Sequence, residues 1–248
     1  MNIFNTQNYD SEAVASDPFV GTIPTIDTNS LLMRVFKWMA LGLGISAISA
    51  YLGAKLLVYA AYNGLTWVST AMFALIIIEL VLVVVFSLKL RSMTSGQAKA
   101  CFIAYSVING LTLSSILLVY TSASVVGTFI GTAAMFGAAA MYGKITNKDL
   151  TKFGSFLIMG LFGIIIASIA NIFIGSSNLD FIISVIGIII FVGLTAYDVN
   201  KINALASAEA SMGEEATNKV VIWGALQLYL DFINIFLKLL KFTGKRRN

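Results

Sequence analysis

The sequence contains no histidine, a single cysteine, two prolines and few charged residues. Charged residues make up 11% of the chain, whereas a typical soluble domain has about 25%. Without histidine, proton exchange near neutral pH has to come from carboxylates in unusual surroundings. Cys101 cannot form an internal disulfide, and zinc and iron–sulfur sites lack their usual ligands. No glycine-rich phosphate-binding motif is present either, so we expect no bound cofactor.

Hydrophobic residues are abundant instead, at 58% of the chain with a mean hydropathy of +0.88. Seven apolar segments each approach the ~20 residues that cross a bilayer as a helix, and no proline interrupts any of them. The sequence predicts an all-α integral membrane protein, a seven-helix bundle spanning residues 31–242. A flexible polar tail at 1–30 and a basic tail at 243–248 flank it. The predicted spans are 32–54, 66–88, 100–120, 124–143, 153–175, 180–202 and 220–241.

Lysine and arginine are concentrated in alternate connections between the spans. By the positive-inside rule, these connections and the N-terminus lie in the cytoplasm. They also explain the net charge of +4 by topology and anionic headgroups, so no nucleic-acid partner is expected. The C-terminus opposes this scheme, because a seventh crossing places Lys245, Arg246 and Arg247 outside. Either the last segment is re-entrant or the tail is tolerated outside, and we favour a full crossing.

Two aspartates lie inside the last two apolar segments. Asp198 ends the stretch Phe-Val-Gly-Leu-Thr-Ala-Tyr-Asp, and Asp231 lies in Leu-Tyr-Leu-Asp-Phe-Ile. A carboxylate in the bilayer interior costs roughly 2.5–3.5 kcal/mol on insertion scales. The short connection between these segments predicts antiparallel neighbours, with both acids in the cytoplasmic half. The alternatives are an interfacial, water-capped Asp198 and an Asp231 that only bonds another helix.

Two carboxylates in contact at a poorly solvated site cannot easily both ionise, so we expect the pair to share a proton near neutral pH. Loss of that proton would add repulsion that separates the helices or admits a cation. Ca²⁺ fits because it prefers hard oxygen ligands, although a full site needs six or more. The pair therefore suits transient Ca²⁺ binding by Asp198 and Asp231 during passage.

Other polar residues could belong to the same path. Glu79, inside Ile-Ile-Ile-Glu-Leu-Val, either lines the pore or serves a neutral, hydrogen-bonded structural role. Arg91, about 18 Å further along that helix, is either an interfacial anchor or a counter-charge that closes the aspartate pair. Tyr197 and Tyr229 could donate to the acids, although an interfacial aromatic belt explains them equally well.

Four motifs, in this order and spacing, resemble the transmembrane Bax-inhibitor-motif family, particularly its bacterial members. They begin at Asn109, Tyr142, Gly193 and Ala225, with sequences NGLTLSSI, YGKITNKDL, GLTAYD and ALQLYLDFINIF. The resemblance implies a seven-helix bundle with a central last helix. It also implies a pH-sensitive Ca²⁺ leak gated by an aspartate pair, here Asp198 and Asp231. Arg91 matches the basic residue ending helix two, with Lys89 as the alternative match. Family members are also linked to suppression of cell death and to modulation of membrane proteases.

The leading hypothesis is thus a passive, pH-gated Ca²⁺ leak channel in a bacterial inner membrane, interacting with lipid, Ca²⁺ and protons. The alternative is a regulator that binds and restrains another membrane protein, such as a membrane protease. An enzyme is not expected, because the Gly-x-Gly-Asp motif of intramembrane aspartyl proteases is absent around Asp231. A coupled transporter is disfavoured because no inverted repeat is visible.

Overall fold

The computed structural model describes residues 28–90, 92–146, 148–209 and 213–247. Within these ranges the chain forms seven α-helices and no β-strand, and every helix is long and apolar enough to cross a membrane. The predicted all-α, seven-span membrane protein is confirmed. The helices are α1 (Thr28–Tyr62), α2 (Trp67–Lys89), α3 (Ser95–Val119), α4 (Ser122–Ile145), α5 (Thr151–Ile174), α6 (Ser177–Glu209) and α7 (Gly213–Thr243).

The three helices α1, α6 and α7 are much longer than the sequence predicts. α1 was expected to end at residue 54 and α6 at 202, whereas α7 begins seven residues before the expected 220. Hydropathy detects only the part of a helix that suits hydrocarbon, but backbone hydrogen bonding continues the helix into the polar interface. Most of the connector expected at 203–218 is therefore helical. Of the predicted tail at 1–30, residues 1–27 lie outside the described part of the chain.

The length of the seventh helix favours a full crossing. It is one uninterrupted helix of 31 residues, about 46 Å long at 1.5 Å per residue, and the hydrocarbon core is only about 30 Å thick. α7 is therefore long enough for a full crossing and has no break at which a re-entrant segment would turn back. With seven crossings, the basic C-terminal residues lie at the end of the bundle opposite the start of α1.

α7 is the central helix, as predicted. It packs against α1, α3, α4 and α6, and 72% of its most apolar window is buried, compared with 6% for α2. Its side chains Leu226, Leu228, Tyr229 and Ile235 are at most 1% exposed. α2 instead packs mainly against α3 and leaves the rest of its surface for lipid. Asp231, in the buried middle part of α7, is therefore held in the interior of the protein rather than at its surface.

Glycines bring α4 and α5 directly against α6 just before Asp198. A Cβ at Gly143 would lie 2.2 Å from the carbonyl oxygen of Ala196, and one at Gly154 would lie 2.3 Å from the ring of Tyr197. Neither position has room for a side chain. The two contacts fix the stretch of α6 that carries the first aspartate.

Gly42 and Gly44 in the first predicted span, and the small residues around Gly137–Ala140 in the fourth, also predict close helix packing, and only part of that prediction holds. Gly42 does face Phe102, 2.6 Å from the position of a Cβ. Gly44 and Gly137 have nothing within 4 Å of that position, so the prediction is wrong for these two. Glycine content alone does not tell which face of a helix points to a neighbour and which to lipid.

Candidate functional site

Asp198 and Asp231 lie together in the interior of the bundle. α6 and α7 pack against each other, as the short connection predicted, and the two carboxyl groups are within hydrogen-bonding reach of each other. Asp198 is 6% exposed and Asp231 is 4% exposed. Asp198 is thus not a water-capped interfacial residue, and Asp231 contacts a second acid rather than only a neutral group.

The carboxyl group of Asp231 is incompletely satisfied. The hydroxyl of Thr195, which donates to the carbonyl oxygen of Phe191 at 2.8 Å, lies beside it. Oδ2 of Asp231 is buried and receives no hydrogen bond from any donor among the residues that the structure describes. A buried acceptor left in this way costs about 1–3 kcal/mol, and more when it is charged. A proton held between the two acids, or a bound cation, would remove that cost.

The site is too sparse for permanent metal binding. In the described ranges, no group of three or more Asp, Glu, Cys or His side chains could hold a metal ion. Asp198 and Asp231 together offer four carboxyl oxygens, and the hydroxyl of Thr195 could add a fifth. Ca²⁺ takes six to eight oxygen ligands, so water would have to complete the shell of a passing ion.

The nearest described counter-charge is Lys201, which acts electrostatically on Asp198. Its Nζ lies 4.8 Å from the ring centre of Trp223 and 5.7 Å from that of Tyr197. Sequence reasoning missed this residue, although the spacing of three between Asp198 and Lys201 puts both on one helix face. Arg91, the counter-charge expected from the sequence, lies outside the described residues, and Lys89 is exposed.

A groove of about 530 Å³ opens beside the C-terminal part of α6. It lies between the end of α2, α6 and α7, and its lining includes Lys201, Lys219 and Trp223. Lys201 both borders this groove and acts electrostatically on Asp198.

Glu79 belongs to a separate polar network. Its carboxylate accepts hydrogen bonds from Tyr105 Oη (3.2 Å), Thr112 Oγ1 (2.8 Å) and Asn109 Nδ2. Three donors around one half-buried acid stabilise a carboxylate in place. The hydrogen-bonded role that the sequence left open for Glu79 is therefore present, and the structure does not bring Glu79 into contact with the aspartate pair.

Tyr229 connects this network to the central helix. Its hydroxyl donates to Asn109 Oδ1 at 2.6 Å and lies 2.6 Å from Ser46 Oγ, and Ser46 in turn donates to the carbonyl oxygen of Ser106 at 2.8 Å. The suggestion that Tyr229 donates to an aspartate is therefore wrong. Its hydroxyl points to α1 and α3, while Asp231, two residues later on α7, points to α6.

We expect Tyr229→Phe to destabilise the protein by about 1–3 kcal/mol, because Asn109 and Ser46 would lose a buried hydrogen-bond partner. Thermal unfolding in detergent measures this effect. Tyr142→Phe is the matched control, since that side chain is 51% exposed and its hydroxyl can reach solvent. Equal unfolding midpoints for the two variants would contradict the assignment.

A cluster of aromatic rings lies next to Asp231 on α7. The ring of Phe232 contacts Phe129 and Phe136, with centroids 5.2 and 5.6 Å apart. Beyond it, a cavity of about 150 Å³ is enclosed by α1, α3, α4 and α7, with Ser46, Phe232 and Phe236 among its lining residues. Apolar side chains therefore adjoin Asp231 on this side of α7.

One family model and several known proteins match most of this chain. The family model described as Inhibitor of apoptosis-promoting Bax1 matches residues 28–248. An uncharacterized protein of Borreliella burgdorferi is 46% identical over 225 residues, covering 89% of this chain and 94% of its own length. Inner membrane protein YbhL of Escherichia coli is 41% identical over 225 residues, covering 90% and 95%. An uncharacterized protein of Deinococcus radiodurans is 38% identical over 224 residues, covering 90% and 94%.

Proposed function

The chain belongs to the Bax1-I family, described as inhibitor of apoptosis-promoting Bax1, and from this premise we propose that it is a pH-sensitive leak channel for Ca²⁺ and related cations. The gate is the carboxyl pair of Asp198 and Asp231. The observation that supports it is the burial of two acids in contact, one of them with an unsatisfied oxygen. The membrane is a bacterial inner membrane, as the name of YbhL states for that relative, and the N-terminus is cytoplasmic.

In the closed state the pair holds one proton between its carboxyl groups. Raising the pH removes the proton and leaves two negative charges in contact. Two like charges about 4 Å apart repel by about 4 kcal/mol at an effective dielectric constant of 20. That repulsion works against the packing of α6 on α7, and the doubled charge attracts a divalent cation. Lys201, together with Arg91 as a second candidate counter-charge, limits the repulsion and sets the pH at which the gate opens.

The proposed ion path follows α7. Cations enter from the groove at Lys201 and Trp223, bind transiently between Asp198 and Asp231, and pass the Phe232 ring into the apolar cavity. Opening requires α7 to move relative to α4, which would separate the ring of Phe232 from that of Phe136. Glu79 is the third acid on the path, because Asn109 and Tyr229 connect it to the wall formed by α1, α3 and α7.

Glu79→Gln is expected to lower Ca²⁺ flux severalfold at every pH without shifting the midpoint of the pH profile. The substitution removes a negative charge from the path but leaves the proton-sharing pair intact. Ca²⁺ flux into proteoliposomes, measured across the pH range, checks this outcome. A shifted midpoint with unchanged maximal flux would instead make Glu79 part of the gate.

The direct test of the function is reconstitution of purified protein into liposomes that contain a Ca²⁺ indicator. We expect Ca²⁺ entry above that of protein-free liposomes, increasing as the pH rises through the neutral range. Flux equal to that of empty liposomes at every pH would refute the channel and favour a regulator that acts on another membrane protein. Deleting residues 1–27 is a useful companion variant, because a leak through the bundle should survive it.

A further inference from the structure

An apolar groove opens on the lipid-facing surface of the bundle. It lies near the C-terminus, at the end of the bundle opposite the one where α1 begins. It has a volume of about 470 Å³ and lies between α1 and the turn that joins α3 to α4. Its walls include Ala54, Val58, Leu117 and Val126. Val58 and Val126 are more than half exposed, so the groove is open to whatever surrounds the protein at this depth.

The rim of this groove is basic. Lys55 and Arg247 both line it, and the hydroxyl-bearing residues Tyr120 and Ser122 stand beside them. Among the described residues that line the groove, none is acidic. Lys55 is held in place by the ring of Tyr51, 4.6 Å from its Nζ. The groove thus combines apolar walls with two cationic lining residues.

Backbone hydrogen bonds position Arg247 beside the groove. The backbone N–H of Arg247 donates to the carbonyl oxygen of Val119 at 2.8 Å, and that of Thr121 donates to the carbonyl oxygen of Lys245 at 3.0 Å. Tyr120 and Arg246 form an antiparallel bridge between these bonds. Chain residues after α7 are therefore paired with the α3–α4 turn, which holds the Arg247 side chain at the groove.

The close approach at the start of this pairing requires a glycine. A Cβ at Gly244 would lie 2.4 Å from the carbonyl oxygen of Leu240 and 2.7 Å from the ring of Tyr120. The backbone pairing and the close contact at Gly244 therefore fix the basic C-terminus beside the groove. This is the end of the bundle where the positive-inside rule disfavours cations.

We propose that this groove is a binding site for an anionic phospholipid. The phosphate of the headgroup binds Lys55 and Arg247, and one acyl chain lies along the apolar walls formed by α1, α3 and α4. An anionic lipid matches both halves of the groove at once, since its charge is complementary to the rim and its chain to the walls. The site also gives Arg247 of the tail a stabilising partner on that side of the membrane. This inference does not depend on the channel proposal.

The test compares phosphatidylglycerol with phosphatidylcholine added to the full-length protein in neutral detergent. Lipid that remains bound is counted by native mass spectrometry, and the unfolding midpoint is recorded in parallel. We expect phosphatidylglycerol to be retained preferentially and to raise the midpoint more. In the double variant Lys55→Gln/Arg247→Gln, retention should fall about 30-fold, because each cation near an anionic headgroup contributes about fivefold.

Lys245→Gln/Arg246→Gln is the matched control, because it removes the same number of charges from the same end of the protein but neither residue lines the groove. It should retain phosphatidylglycerol almost as wild type does. Equal losses in the two double variants would overturn the site in favour of general charge attraction. Equal retention of both lipids by the wild type, or the same stabilisation by soluble glycerol phosphate as by the lipid, would also overturn it.

Discussion

Asp231→Asn is expected to abolish the pH dependence of Ca²⁺ flux and to leave the protein at the low flux of the closed state. The asparagine amide can still donate to Asp198, so the two helices stay together, but the pair can no longer gain a second negative charge. A gate controlled by one proton changes its open-to-closed ratio by up to about tenfold per pH unit. The wild type should approach that slope near neutral pH, and the variant should be nearly flat between about pH 5 and pH 8.

Asp149→Asn is the control for this experiment. Asp149 lies in the connection between α4 and α5, where the backbone N–H of Thr151 donates to its carboxylate at 2.9 Å and the hydroxyl of Thr151 donates as well. These bonds hold the pKa of Asp149 below its usual value, so its charge does not change as the pH falls from 8 to 5. The control should keep the wild-type profile. A flat profile in both variants, or a wild-type slope in Asp231→Asn, would remove the pair from the gate.

Gly143→Ala is expected to lower thermal stability and to shift the pH profile of Ca²⁺ flux. A methyl group there would meet three backbone atoms of Ala196 at 2.2–3.0 Å, and a backbone cannot move aside as a flexible side chain can. α4 and α6 would have to separate, at a cost of about 1–3 kcal/mol. Because Asp198 is only two residues beyond Ala196, the pH profile of Ca²⁺ flux should shift together with the loss of thermal stability.

Gly137→Ala is the matched substitution on the same helix. Nothing lies within 4 Å of its Cβ position, and replacing a glycine inside a helix gains up to about 1 kcal/mol in helix propensity. Its unfolding midpoint in detergent should equal or exceed that of the wild type, and its flux profile should be unchanged. A similar loss of stability at Gly137 and Gly143 would show that helix contact at Ala196 is not the cause.

The seven spans and the aspartate pair could be predicted from the sequence, and for clear physical reasons. The energy of moving apolar residues into hydrocarbon is large enough to locate each crossing. The same energy makes an acid such as Asp231 conspicuous within a crossing. The short connector then makes α6 and α7 neighbours, and the family resemblance singles out Asp198 as the partner.

The rest depends on which helix faces meet, which hydropathy does not encode. Glu79 looks like a pore acid in the sequence, and only the structure shows that its three hydrogen-bond donors all come from α3. Tyr229 looks like a donor to Asp231, but its hydroxyl faces the opposite side of α7. Lys201 looks like an ordinary interfacial lysine until the fold places it beside Asp198. In each case the rotation of the helix about its own axis determines which residues the side chain contacts.

The central claim is that Asp198 and Asp231 share a proton near neutral pH. An infrared titration of the reconstituted protein tests it most directly, by following the carbonyl stretch of protonated carboxylic acids in the wild type and in Asp198→Asn/Asp231→Asn. We predict a band in the wild type that disappears as the pH rises through the neutral range and is missing from the double variant. A wild-type spectrum without such a band, or the same titrating band in the double variant, would contradict the shared proton.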